Sequence, residues 1–345
     1  MTLQDLLGIE LPIIQAPMAG VQGSALAVAV SDAGGLGSLP CAMLDAAGLQ
    51  RELAALSVHQ PRPFNLNFFC HSQPTADAQR EQQWRALLAP YYRELGLDPE
   101  AVSPAPARQP FSHAIADLLE DQPPAVISFH FGLPEPSLLR RVKSWSSKVL
   151  SSATTVAEAR WLEAHGADAI IAQGLEAGGH RGMFINHDLN GQLGTFALLP
   201  QVVQAVELPV IAAGGIADAR GVAAALVLGA AGVQVGTAYL LCPECSTSAV
   251  HRAALQSEAA ATTALTTLYS GRPARGIVNR LMRELGPLHP LAPAFPLATA
   301  GVAPLRAAAE AQGSGDFSPL WAGQNVSGCQ AIPAAELTRA LTVNL

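Results

Sequence analysis

PVIAAGGIADARGVAAALVLGAAGVQVGT, residues 209–237, decides the fold. Two short apolar runs, PVIAA and GVQV, carry no polar alternation, so they read as parallel strands covered on both faces. ADARGVAAALVLGA between them supplies a covering helix. From Val222 through Cys242, five residues past this stretch, the chain is free of charge for 21 residues, long enough to test as a membrane span. Gly229, Gly232, Gln234, Gly236 and Thr237 interrupt it, and an Ala-rich helix followed by a buried strand fits better. No membrane association is expected.

Outward from this unit the pattern repeats toward the N-terminus. IIQAPM (13–18), LGSLP (36–40), PFNLNFF (63–69), AVISFHF (125–131), KVLSSA (148–153) and AIIAQG (169–174) are further apolar runs, most followed by helical segments such as TVAEARWLEAHG. With 209–215 and 232–237 they make eight. Eight strand and helix units in about 240 residues predict an α/β fold, a (β/α)8 TIM barrel. Residues 72–122, rich in Gln, Pro and Ala, predict a helical insertion after the third strand. The tail from 241 to 345 predicts a helical cap over the barrel mouth, with an Ala and Thr helix, the SGRPARGIVNRLMREL segment and a chain end returning to the barrel. The expected division is therefore 1–240 and 241–345.

Composition narrows the function. Half of the 345 residues are hydrophobic and 14% are charged, which suits a folded chain with one large core. A net charge of −7 without a run of Lys or Arg gives no footprint for nucleic acid. The start MTLQDLLGIELP lacks the layout of a signal peptide, so the chain is expected to begin at Met1. Five scattered cysteines argue for a reducing, cytoplasmic compartment.

AAGGI (212–216) and VGT (235–237) end the seventh and eighth strands, where barrels often bind phosphate. Adjacent glycines let amides approach an anion, and the following helix is expected to aim its positive end there. The plainer reading of Gly214, Gly215 and Gly236 is tight turns. At the first strand end Ala16, Pro17 and Met18 could lie against a flat ring. Asn67 and Gln173 are neutral polar groups suited to the carbonyl and imide edge of a flavin. Each would also serve as a strand cap or a core hydrogen bond.

Taken together, QAPMAG, NLNFF, SFHFG, QGLEAGGHRG, AAGGI, VGT and SGRPARG resemble class I nitronate monooxygenases, over residues 10 to about 325. EAGGHRG and the phosphate motifs are shared with wider FMN barrels, whereas SFHFG points to the monooxygenases. The resemblance implies FMN, its phosphate on the backbones of Gly214, Gly215, Gly236 and Thr237. Its ring would contact Met18, Asn67 and Gln173, with Gly178 and Gly179 nearby. It also implies His180 as the catalytic histidine, alkyl nitronates, 3-nitropropionate-type nitronates or nitroalkanes and O2 as partners, and a detoxifying role. A monomer or homodimer is expected.

Position alone supports His180, which sits in a glycine-flanked loop after the sixth strand and can exchange a proton near neutral pH; a loop hydrogen bond is its plainer role. His130, in SFHFG, is expected in the mouth, holding nitro oxygens. His59, His113, His165 and His251 read as surface residues, and His71, His187 and His289 as rim residues. No set of residues has metal-binding spacing, and Cys242 and Cys245 form a lone CxxC read as structural. Glu176 reads as a local hydrogen-bond acceptor. GGLGSLP (34–40) lacks the complete dinucleotide fingerprint.

Several chemistries fit such a site. The one implied by resemblance oxidises nitronates with O2 to a carbonyl compound and nitrite. The alternative is an NAD(P)H-dependent FMN reductase acting on a quinone or an enoyl thioester. An isomerase or aldolase lacks a Schiff-base lysine, since Lys143 and Lys148 lie near the start of the fifth strand; a flavin carrier without turnover is the remaining class. One departure stands out: where the family tends to carry tyrosines and a lysine in the cap, this chain has Phe295, Thr299 and Ala303, so a more apolar substrate than a carboxylated nitronate is expected. Phe295 and Trp321 are then expected as an apolar wall toward the substrate, or as packing for the cap.

Overall fold

The computed structural model describes residues 2–59, 61–100 and 108–343. Met1, parts of the expected insertion (101–107) and the last two residues of the tail lie outside them. All eight predicted strands form: β1 (Ile13–Gln15), β2 (Gly37–Pro40), β3 (Phe64–Phe69), β4 (Val126–His130), β5 (Lys148–Ala153), β6 (Ala169–Gln173), β7 (Val210–Ala213) and β8 (Gly232–Val235). They are parallel and ordered β1-β8-β7-β6-β5-β4-β3-β2. A parallel bridge between Ile14 and Leu36 closes the ring into a barrel.

The lumen is filled by Ile14, Leu36, Val126, Leu150, Ile171 and Ile211, joined by Leu3 and Leu7 of the first helix. A second cluster packs the covering helices against the outside through residues such as Leu162, Leu198, Val202 and Val222. Helix starts follow their local chemistry: Thr155, Asp218 and Asp45 accept from the amides of Glu158, Gly221 and Gly48. The charge-free stretch resolves into the helix Ala219–Val227, β8 and a 3-10 turn at Thr237–Leu241. Among the described residues no helix is long and apolar enough to cross a membrane.

Insertion and tail meet. Trp84, Leu88 and Tyr92 of the helix Ala78–Glu94 pack with Tyr269, Met282, Val302 and Phe317 of the tail. The Tyr92 hydroxyl donates to the Gly301 carbonyl at 2.7 Å. The helix Ala334–Ala340 turns back onto the helix Ser24–Asp32, and Tyr239 Oη lies 2.9 Å from Thr338 Oγ1.

One segment differs from expectation. ATTALTTL, read as a helix, instead places Thr263–Thr266 in a strand paired antiparallel with Ala274–Ile277. Threonine's branched Cβ restricts its side chain in a helix and suits an extended chain. Ala274–Ile277 in turn pairs with Gly179–His180, so a three-stranded sheet ties the tail to the loop after β6.

Candidate active site

A cavity of about 1370 Å³, including its open mouth, lies at the C-terminal ends of the strands. Of the fifteen residues singled out from the sequence, fourteen line it; Phe295 does not.

At one end β7 runs into Gly214 and Gly215, with φ of +112° and +75°. These left-handed values suit glycine, and a Cβ on Gly214 would stand 3.0 Å from Thr195 Oγ1. Opposite, a Cβ on Gly236 would meet that of Ala16 at 3.3 Å and Met18 Sδ at 3.8 Å. The amides of Gly214, Gly215 and Gly236 make no backbone hydrogen bond to a described residue. Gln234 Oε1, also buried here, has no partner among them. The three amides, not the Gln234 oxygen, are the donors an oxyanion needs, and the glycines give it clearance. The expected helix dipole contributes less: Asp218 places its own carboxylate at that helix start, accepting from Gly221 N at 2.9 Å. Backbone amides, rather than the helix end, supply the free donors of this candidate cradle. The tail covers it, with Gly323 N donating to Thr237 Oγ1 at 2.9 Å and Asn325 Nδ2 to the Gly215 carbonyl at 2.9 Å.

Along the floor, Met18 N donates to Gln22 Oε1 at 3.0 Å, which fixes the turn after β1. Asn67 Nδ2 donates to Ser128 Oγ at 2.9 Å. Gln173 lines the cavity, yet Nε2 donates to the His180 carbonyl at 3.0 Å and Oε1 accepts from Gly182 N at 2.8 Å. Its amide therefore braces the loop 180–182. Gly178 lies so close to the tail that a Cβ would stand 2.6 Å from Gly323 N.

At the other end His180 Nε2 lies 2.8 Å from Ser270 Oγ, and Nδ1 is the ring nitrogen left without a hydrogen-bond partner among the described residues. Burial first, then the cations Arg108, Arg272 and neighbouring histidines, hold its pKa well below 6.5. His130 departs from expectation. Its ring lines the cavity, but Nε2 donates to the His180 carbonyl at 3.1 Å and Nδ1 lies 3.0 Å from Ser152 Oγ. Neither nitrogen is free for nitro oxygens. Burial pushes this ring down to about 4, so it stays neutral.

Phe295 packs behind His180, ring centroids 5.4 Å apart, and 4.9 Å from His71. Trp321 lines the cavity 5.6 Å from His180. Phe131 adopts φ +72°, unusual for a bulky side chain. That turn sets its ring beneath the Arg272 guanidinium, 3.8 Å from the centroid.

The sequence profile described as NMO, nitronate monooxygenase, matches residues 1–344. The chain belongs to this family. It is 44% identical over 349 residues to a nitronate monooxygenase of Pseudomonas aeruginosa, covering 99% of this chain and 97% of that one. The nitroalkane oxidase of Streptomyces ansochromogenes superimposes with a TM-score of 0.90 at 39% identity, covering 99% and 97%. FabK from Thermotoga maritima has the same architecture, with a TM-score of 0.72 at 26% identity and coverage of 99% and 94%.

Membership leaves the local chemistry to this chain's residues, several of which sequence reading missed. Arg181 is buried, donating to the carbonyls of Gly174 (2.7 Å) and Gln173 (2.8 Å). Arg272 donates to the Met183 carbonyl. Both are pushed down to about 10 by burial. Glu158, also buried, accepts from Thr154 N and Phe184 N, each at 2.7 Å. The signal for Ser270 and Arg272 was the SGRPARG segment, whose hydroxyl and guanidinium reach the loop after β6. His251, expected at the surface, is buried and lines the cavity because its short helix turns that face inward. His71 is likewise buried, with Nε2 3.0 Å from the Arg108 carbonyl. Glu176 is the acceptor expected of it, taking Thr195 N and Oγ1 within 2.9 Å. Cys242 and Cys245 are free and buried. Among the described residues no group of side chains has metal-binding geometry.

Proposed function

We propose that this protein is an FMN-dependent nitronate monooxygenase, taking alkyl nitronates and O2 to a carbonyl compound and nitrite. The observation that carries the reading is the cavity itself: unpartnered amides at one end and a neutral-held His180 at the other. The FMN phosphate would be held by the amides of Gly214, Gly215 and Gly236 beside Thr237. Its ring would rest on Ala16, Pro17 and Met18, near Asn67, with Gln173, Gly178 and Gly179 at its border. FMN, when bound, supplies the electron acceptor for nitronate oxidation.

The chain's own groups do the rest. With Nε2 directed to Ser270, His180 Nδ1 takes the proton of a neutral nitroalkane; with a preformed nitronate no proton need be removed. His130 positions His180 through its carbonyl rather than touching substrate. Trp321 forms an apolar wall, and Phe295 backs His180. In this reading 1–240 is the cofactor barrel and 241–345 covers the substrate. The protein acts as a cytoplasmic monomer or homodimer that detoxifies nitro compounds.

An anaerobic titration of the flavin spectrum tests this, with propyl-2-nitronate in one cuvette and NADH or NADPH in the other. Bleaching by the nitronate, with nitrite released on admitting air, is the expected result. Bleaching by the nicotinamide alone would replace it with a reductase.

A further inference from the structure

Arg108 is the lone guanidinium or ammonium among the described residues lining the cavity, and Glu176 the lone carboxylate. Glu176 is committed to Thr195. Arg108 makes no ion pair with a described residue, and burial lowers its pKa without a compensating neighbour. Its main chain is anchored: the carbonyl takes His71 Nε2 at 3.0 Å and Gln73 Nε2 at 2.8 Å. A cation held in a partly desolvated cavity without a counter-ion is costly unless an anion completes the site.

Position selects which anion. The guanidinium lies 5.6 Å from the Phe295 ring centroid, and that ring lies 5.4 Å from the His180 ring. A reacting carbon must sit within hydrogen-bonding reach of His180, so a group held by Arg108 is set off from it along the Phe295 side. At the three cap positions singled out from the sequence no cation stands: Phe295 is apolar, Thr299 Oγ1 donates to the Tyr269 carbonyl at 3.0 Å, and Ala303 is exposed. The cap's Arg272 does not line the cavity, being committed to the Met183 carbonyl and the Phe131 ring. The geometry points to Arg108 as a specificity-determining residue that binds a carboxylate at the end of the substrate remote from its nitronate carbon. This rests on the reading of His180 as the reacting end. The charge comes from the insertion, where a planar guanidinium can take both carboxylate oxygens.

The test compares flavin-loaded wild type, Arg108→Met and Arg108→Lys on two nitronates, that of 3-nitropropionate and propyl-1-nitronate. In Arg108→Met, kcat/KM for the carboxylated nitronate is expected to fall about 30- to 100-fold, and for the neutral-tailed one less than about 3-fold. Arg108→Lys, which keeps the charge but not the fork, should recover part of the loss. Equal losses on both substrates, or none on either, overturn the assignment. The dissociation constant of butyrate, measured by calorimetry, gives a readout without turnover. It should weaken at least about 10-fold in Arg108→Met, and absence of wild-type binding or an unchanged constant overturns the carboxylate site. Were the wild type to oxidise neither nitronate, the monooxygenase reading would fall, and the butyrate constants alone would decide Arg108.

Discussion

Gly214, Gly215 and Gly236 offer main-chain amides from two adjacent strand ends, whereas the opposite end of the cavity is lined by His130, His180 and Arg108 and braced by Ser270 and Arg272, all from separate stretches of chain. The first end depends on backbone path and tolerates few shapes. The second depends on side chains that hold one another, through His130 and Gln173 to the His180 carbonyl and through Ser270 to its ring. An anchor for a constant group can be made of backbone. A substrate site has to be made of parts that can change.

The sharpest way to break the anchor is Gly215→Asp. A carboxylate beside the amide cradle should repel an oxyanion, leaving purified protein with less than about a tenth of the wild-type flavin absorbance. Gly215→Asn has nearly the same shape and tolerates the left-handed backbone, so its retention of more flavin separates charge from strain. Full flavin content in Gly215→Asp would place the phosphate elsewhere.

A milder substitution, which leaves the flavin in place, probes the side-chain end. His180→Asn should keep flavin bound while turnover of neutral nitroalkanes falls by about 10² or more, the scale of general-base catalysis. Preformed nitronates should lose less than about 10-fold. Equal losses would remove the base role.

The smallest effect is acid sensitivity. His130 and His251 are each pushed down to about 4, and His180 lies well below 6.5, all by burial first. Their folded pKa values lie below the unfolded value near 6.5, so the unfolded chain binds more protons in between. Their contribution is complete above pH 6.5 and is lost as pH falls toward 4, by at most about 1.4 kcal/mol per pH unit for each. Thermal melts should show the midpoint falling through this window, and a flat profile would show these rings taking up protons as readily in the folded chain as in the unfolded one.

The same contrast explains what could be read from the residues. Parallel strands buried on both faces are continuous apolar runs, so all eight were visible, and the Gly pairs at their ends marked the cradle. Thr263–Thr266 was misassigned because apolar content alone does not separate a short strand from a helix. His130 was located, but the pairing of both its nitrogens was not legible, since its partners Ser152 and the His180 carbonyl lie on other segments. Arg108 and His71 were not singled out as a pair because the insertion brings them together only after folding. Helix Asp218 shows a local feature overriding a general one: its carboxylate takes the dipole end expected to serve a ligand.

The loop that presents His180 is fastened by its carbonyl, through Gln173 and His130, and by strand pairing with Ala274. None of these fastenings uses the imidazole. Position 180 is thus a socket whose occupant can be exchanged while the frame stays in place, and a barrel built this way can acquire a different proton-handling group by a single substitution.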